Sequence, residues 1–423
     1  MSATESDDRK LYGDLEDQGF NNEITEAPVE DWATDWDHLD EVWAANPYPI
    51  LEGIRSSGCP IAHTDRYGGA WLPTTHEDVA EVAYDTDRFS SRMVVVGNHR
   101  PPFETAPQGV SPPISSDPPF HHDARRLLLP AFAPKAIAAL EPATREFCHS
   151  LLASLEVNDL VDAAVDYAQH IPVRVIAHML GFPEADADRF REFVKNVLEG
   201  VNTPMEERIV DIQALFQYLD EQVADHVANP RDDLTSFLLD AKMGDQALDE
   251  EHVTGTMALL LIAGIDTTWS AIGASIWHLA DHPADRQRLV HDPDLLPVAM
   301  EELLRAYAPV TMARLVKDDM EWKGCPMKRD DWVLLSFPSA NRDREAFERA
   351  DEVVIDREVN RHAAFGLGVH RCVGSHLARM EVRVALEVWL EHFPEFSLAD
   401  PSAVTWSAGQ VRGPRTLPVT IGS

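Results

Sequence analysis

Between about residue 120 and residue 310, apolar side chains recur every three or four positions, stretch after stretch, with short polar breaks between them. That spacing predicts amphipathic helices at "FHHDARRLLLPAF" (120–132), "ADADRFREFVKNVLEGV" (185–201) and "DIQALFQYLDEQVADHVA" (211–228). "DEEHVTGTMALLLIAGIDTTWSAIGASIWHLADH" (249–282) is different: it is apolar nearly all round, so it predicts a helix of some thirty residues in the middle of the molecule. Further helices are expected over "NPYPILEGIRSSG", "LPVAMEELLRAYAP" and "SHLARMEVRVALEVWLEHF". Short strands are expected at "GGAWLPTT", "DWVLLSF" and "TLPVTIGS". The stretch 97–119 carries seven prolines and cannot be a helix; a loop of that length is expected to wall or cover a site. The pattern gives a mainly α chain with a small β portion, read as one domain over 41–423.

Composition sharpens this. The 423 residues include 72 acidic and 36 basic side chains, a net charge of −36, which argues against binding nucleic acid or an anionic membrane. Thirteen of the acids fall within residues 1–40, with two basic residues, so this segment is expected to be a mobile tail. There is no basic, then apolar, leader, and "MALLLIAGI" (257–265) is too short to span a bilayer. Cys59, Cys148, Cys325 and Cys372 are widely spaced with no CxxC pair, which fits a reducing compartment; the expected location is cytoplasmic.

One of those cysteines stands apart. In "AFGLGVHRCVGSHLA" (363–377), Cys372 lies among Gly366, Gly368 and Gly374 and just ahead of an expected helix. A thiolate there would be stabilised by free N–H groups at the helix start. The glycines would let the backbone approach a flat partner closely, with Phe365 as an aromatic wall. In the central helix, Gly264 lacks a side chain and Thr267 can bond back to a carbonyl one turn earlier, so a local kink is expected there.

The segment Phe365-Gly366-Leu367-Gly368-Val369-His370-Arg371-Cys372-Val373-Gly374 resembles the haem-binding signature FGxGxHxCxG of the cytochrome P-450 superfamily, with every fixed position filled. "AGIDTT" (263–268) resembles that family's central-helix motif, and Glu302-Leu303-Leu304-Arg305 its ExxR helix. "DPPFHHDARRL" (117–127) is similar to its DPPxHxxxRR segment, and Arg314 stands at the usual distance after ExxR.

The resemblance implies a cytochrome P-450 fold and haem b with Cys372 as axial thiolate. It implies Ala263, Gly264, Phe365, Gly366, Gly368 and Gly374 around the cofactor, with His121, Arg125, Arg314 and His370 on its two carboxylates. Asp266 and Thr267 would be the acid–alcohol pair that manages protons during oxygen activation. Glu302 and Arg305 would form a structural charge network. Its third basic member is not evident, because Glu352 stands at the aligned position and either Arg357 or Arg361 could substitute.

The implied reaction inserts one atom of O2 into an organic molecule. No flavin or iron–sulfur module is expected within the chain, so electrons would come from a ferredoxin or flavodoxin and an NAD(P)H-dependent reductase. Such a donor would dock on a basic patch of Arg125, Arg126, Arg361 and Arg371. By the family's layout Val94, Val95, Leu260, Val310, Met312 and Val411 would line the substrate pocket. They suit a small hydrophobic substrate, a terpenoid or aromatic to be hydroxylated or a methoxyarene to be O-demethylated. Two other readings stay open at this point: a peroxide-driven haem-thiolate peroxygenase and a non-catalytic haem sensor.

Overall fold

The computed structural model of the chain describes residues 27–97, 100–155, 160–198 and 205–422. Its helices in chain order are α1 (Glu41–Ala45), α2 (Tyr48–Ser56), α3 (His76–Tyr84), α4 (Phe120–Leu128), α5 (Pro134–Ala153), α6 (His170–Leu180) and α7 (Ala187–Leu198). They continue with α8 (Met205–Ala228), α9 (Leu234–Asp240), α10 (Glu250–Asp281), α11 (Pro283–His291), α12 (Leu296–Ala306), α13 (Phe337–Ala340) and α14 (Ser375–His392). Part of the expected helix at 185–201 lies outside the described residues.

Helix α10 organises the rest. Asp249 caps it by accepting from the His252 N–H (2.7 Å), and Glu250 and Glu251 sit in the first turn, where the helix dipole favours acids. At 1.5 Å per residue it runs about 48 Å, through the whole core. It is long and apolar enough to cross a membrane by length and composition, but the protein itself covers it: α6, α7, α8, α9, α12 and α14 all pack on it. A neighbouring face of α14 packs on α5. The largest core cluster surrounds these helices.

The strands in chain order are β1 (Ile61–Thr64), β2 (Ala70–Pro73), β3 (Phe89–Ser90), β4 (Leu160–Asp162), β5 (Lys242–Met243), β6 (Gln246–Ala247), β7 (Thr311–Val316), β8 (Met320–Trp322), β9 (Cys325–Met327), β10 (Trp332–Ser336), β11 (Phe396–Leu398), β12 (Thr405–Trp406), β13 (Pro414–Thr416) and β14 (Pro418–Ile421). A five-stranded sheet in the order β1-β2-β10-β7-β3 lies to one side. Strand β10 runs parallel to β2, and the other pairings are antiparallel. Its register sets Val333 opposite Arg314, which points one arginine of β7 into the interior. The C-terminal strand β13 (Pro414–Thr416) returns beside α10, and β13 and β14 (Pro418–Ile421) pair with short partners elsewhere.

The proline-rich segment is a wall. The Thr256 hydroxyl of α10 donates to the Pro112 carbonyl (3.0 Å), and a Cβ at Gly255 would lie 2.5 Å from the Val110 carbonyl oxygen. Only glycine lets that loop lie against the helix. Residues 1–26 of the acidic segment lie outside the described residues; residues 27–40 pack against the fold. Trp36 is fully buried, Asp35 pairs with Arg66 (2.7 Å), and Trp32 packs on Trp43 with ring centroids 6.0 Å apart. Apolar indoles outweigh the acids there, since each buries far more area than a carboxylate keeps wet.

Candidate active site

A cavity lies between α10 and the loop that precedes α14. Ala263, Gly264, Thr267 and Thr268 of α10 line one side, with Phe365, Gly366, Cys372 and Gly374 on another. The chain reaches Cys372 through a tight turn in which its N–H donates to the Phe365 carbonyl (2.7 Å). Cys372 is accessible, but the space it opens onto is this cavity. Desolvation pushes its thiol pKa up, opposed by the Gly374 N–H at the start of α14 and then by Arg125, Arg371 and Arg379. The helix-start donor expected from the sequence is thus present.

The glycines divide their roles. Gly366 and Gly374 line the cavity; a Cβ on Gly374 would lie 3.8 Å from the Cys372 sulfur. Gly368, expected beside the cofactor, is instead turned to α3. Its φ is +69°, and a Cβ there would sit 2.3 Å from the Ala83 carbonyl oxygen. It seats the loop on α3 and does not line the cavity.

Two arginines and two histidines converge on one side. His121 is almost fully buried, and neither ring nitrogen has a hydrogen-bond partner. Its ring centroid is 4.2 Å from that of His370, whose Nε2 lies 2.9 Å from the Ser91 hydroxyl. Arg314 is buried, and its guanidinium donates to the neighbouring Ala313 carbonyl (2.7 Å). Arg125 reaches the Arg371 carbonyl from α4. Burial, then repulsion from Arg125 and its other neighbours, pulls His121 down to about 4; burial brings Arg314 down to about 10. Among the described residues Asp117 acts on Arg314 and His121 through space, but neither Arg125 nor Arg314 has a carboxylate within salt-bridge distance; two such guanidiniums beside the orphaned nitrogens of His121 fit a buried dianion such as the two carboxylates of haem. Above Cys372 the lining is apolar, which fits a macrocycle face. The residues present therefore suit this cofactor.

The proton machinery is split. The Thr267 hydroxyl faces the cavity and donates to the Ala263 carbonyl (2.8 Å). Helix α10 nevertheless runs unbroken through 263–268, so the expected kink is absent as a break. Gly264 leaves room for Ile176 of α6, which a Cβ would meet at 3.2 Å. Asp266 is buried but does not line the cavity. Its Oδ1 lies 2.8 Å from Nη2 of Arg415 on β13, and that guanidinium also stacks 4.5 Å from Trp269.

Behind the site, Glu302 and Arg305 are fully buried and joined by two bonds of 2.8 Å. The undecided third member is Arg357, whose Nε donates to Glu302 Oε2 (2.8 Å); the carboxylate of Glu352 is turned to Arg349. Arg361 is exposed.

Of the expected pocket residues, Leu260, Val310 and Met312 line the cavity, whereas Val94, Val95 and Val411 do not. The Val94 carbonyl is held by Gln410, and Val411 bridges Val310 from behind, so both act as backing. The sequence reading missed Pro113, Ile114, Leu304, Phe337 and Glu381. Glu381 is buried on α14 with Oε2 unpartnered, and desolvation holds its pKa well above the usual carboxylate range. Its i+4 spacing from Leu377 on an apolar stripe was the available signal. Arg125 also leaves the expected surface patch, being drawn inward; Arg126, Arg361 and Arg371 are exposed.

Comparison with known proteins agrees with this geometry. The cytochrome P450 family model matches residues 173–400. The chain is 38% identical to nocardicin C N-oxygenase of Nocardia uniformis subsp. tsuyamanensis over 360 residues, covering 83% of this chain and 89% of that protein. It is 34% identical to mycinamicin IV hydroxylase/epoxidase of Micromonospora griseorubida over 357 residues, with the same coverage of both. Among solved structures, the bacillaene polyketide synthase cytochrome P450 PksS of Bacillus subtilis 168 superposes with a TM-score of 0.83 at 28% identity, covering 92% of this chain and all of that one.

Proposed function

The chain belongs to the cytochrome P450 family and is a haem-thiolate monooxygenase served by redox partners, and within that frame we propose a compact hydrophobic substrate and the residue roles that follow. When bound, haem supplies reductive activation of O2, one oxygen atom entering the substrate and the other leaving as water. Cys372 holds the iron, its thiolate favoured by the Gly374 N–H. His121, Arg125, Arg314 and His370 neutralise the two carboxylates. Thr267 presents a hydroxyl from α10 towards the reacting space, and Asp266 supplies protons to it once its hold on Arg415 is loosened.

The observation that carries this reading is a single thiol facing an apolar cavity whose rim holds Arg125 and Arg314, with no carboxylate within salt-bridge distance, and the unpartnered ring of His121. Leu260, Val310, Met312, Ile114 and Phe337 give that cavity a medium-sized, nearly non-polar lining. This supports a terpenoid or aromatic substrate, hydroxylated or, where it carries a methoxy group, O-demethylated. Electrons come from a ferredoxin or flavodoxin fed by an NAD(P)H-dependent reductase, which docks over Arg126, Arg361 and Arg371, and the enzyme is cytoplasmic. The Asp266–Thr267 pair favours the oxygen route over a peroxide-driven one, which needs no such pair. The cavity favours turnover over a sensing role.

The test is a reduced, CO-bound absorption spectrum of the haem-loaded protein and of Cys372→Ala, followed by a screen of small apolar compounds for a haem spin-state shift. An unaltered spectrum in the variant would reject the ligand assignment. The absence of a spin shift with any apolar compound would reject the substrate class.

A further inference from the structure

A second cavity shares no lining residue with the first. Tyr48 of α2, Trp277 of α10, Tyr307 after α12 and Trp406 near the C-terminus wall it, with the stacked imidazoles of His278 and His282 beside them. Trp277 stands edge-on to both Tyr307 (centroids 5.5 Å, 87°) and Trp406 (5.3 Å, 81°). Two guanidiniums complete the wall. Arg342 stacks 3.7 Å from the Tyr48 ring centre, and Arg412 lies 4.1 Å from that of Trp406 and 5.6 Å from that of Tyr48.

Neither arginine has a carboxylate partner among the described residues. Arg342 donates to the carbonyls of Ala306 and Asp351, and Arg412 to those of Ala44 and Ala45 and to the Tyr48 hydroxyl; with five N–H groups per guanidinium, each keeps donors to spare. The two acids at the cavity mouth are already engaged, Asp351 by Arg344 and Glu352 by Arg349. Burial lowers the pKa of Arg412, and Arg342 adds like-charge repulsion. Two guanidiniums crowded together in a chain with a net charge of −36, neither within salt-bridge distance of a carboxylate among the described residues, repeat what is seen for Arg125 and Arg314 at the haem cavity; Asp281 and Asp285 are engaged by the lining histidines His282 and His278.

We propose that this cavity is a second binding site, independent of the haem reading, for a small planar aromatic carboxylate. The rings supply stacking surface and the arginine pair grips the anionic end. Its back wall is shared with the first cavity: the Arg412 N–H donates to the Pro309 carbonyl (2.8 Å), and Pro309 and Val310 line the haem cavity.

The test is calorimetric titration of the haem-loaded full chain with indole-3-carboxylate, its neutral amide and sodium sulfate, with the Soret band recorded in parallel. One equivalent of the carboxylate should bind without moving the Soret band. The amide and sulfate should each bind at least tenfold more weakly. Arg412→Gln should weaken carboxylate binding at least tenfold; Trp406→Leu should do the same and is a second variant should the first fail to fold. Binding that shifts the Soret band and survives both substitutions would locate the ligand at the haem and overturn the proposal. Sulfate binding as tightly as the carboxylate, or the absence of any heat, would overturn it too.

Discussion

Replacing Arg357 with Ala probes what holds the cysteine loop in position. Glu302 is fully buried and receives Arg305 twice, Arg357 once, the Val354 N–H (2.8 Å) and the Asn360 amide (3.1 Å). Removing Arg357 deletes one charge-assisted bond and two contacts to the carbonyls of Glu348 and Arg349, but leaves the Glu302–Arg305 pair intact. The expected loss is therefore about 1.5–3 kcal/mol. Glu302→Gln leaves two buried guanidiniums facing a neutral amide and should cost more, about 3–5 kcal/mol. The damage reaches the active site by a short route: Arg305 bonds the Asn341 carbonyl (2.7 Å), and the Asn341 side chain holds the Ala363 N–H (2.7 Å) where the cysteine loop begins. Urea unfolding followed by the Soret band and by circular dichroism measures both losses. At ~3 kcal/mol per molar urea, Arg357→Ala should shift the midpoint by ~0.5–1 M. A midpoint within ~0.2 M of the parent, or Glu302→Gln proving milder than Arg357→Ala, would refute the network as drawn.

Gly368→Ala should abolish stable haem uptake, because both the positive φ and the Ala83 carbonyl 2.3 Å from the new Cβ oppose it; retained Soret intensity at full occupancy would contradict this. Thr267→Ala should lower coupled product formation about 10²-fold while reductant is still consumed, read as product formed per NAD(P)H; full coupling would remove its role. Acid should destabilise the fold through Glu301 and Glu302, whose pKa values lie below their ordinary range because Arg379 and His362, and Arg305 and Arg357, outweigh burial. Their stabilisation is complete above about pH 4.5 and is lost as pH falls towards about 2, the folded value of Glu301, so a urea series across that window should show a falling midpoint. Reversing Arg126 and Arg371 to Glu should slow reduction by the partner about tenfold at low salt and flatten its salt dependence; unchanged transfer rates would move the docking face elsewhere.

Much of this was legible because it is local. The cysteine loop, the Thr267-to-Ala263 bond and the Glu302–Arg305 pair each join residues at most seven positions apart, so spacing alone indicates them. What was not legible joins distant segments. Asp266 meets Arg415 across 149 positions, and Arg357 reaches Glu302 from an irregular segment with no periodicity to align. The docking of 27–40 was hidden by its acidic composition, although Trp32 and Trp36 are the residues that decide it. Gly368 was assigned to the cofactor because the motif contains it, whereas its need for a bare Cα comes from α3, nearly three hundred positions earlier.

Charge carries the more general argument. With two acids for every base, most arginines among the described residues have a carboxylate within reach: Arg55, Arg66, Arg145, Arg286, Arg305, Arg379 and Arg383 are examples. A buried guanidinium left without such a partner is costly, because desolvation is not offset by Coulomb attraction. Where it persists beside another cation, the missing anion is best sought outside the chain. That logic selects Arg125 and Arg314 at the thiol cavity, where haem carboxylates answer it, and it selects Arg342 and Arg412 with equal force at the aromatic one.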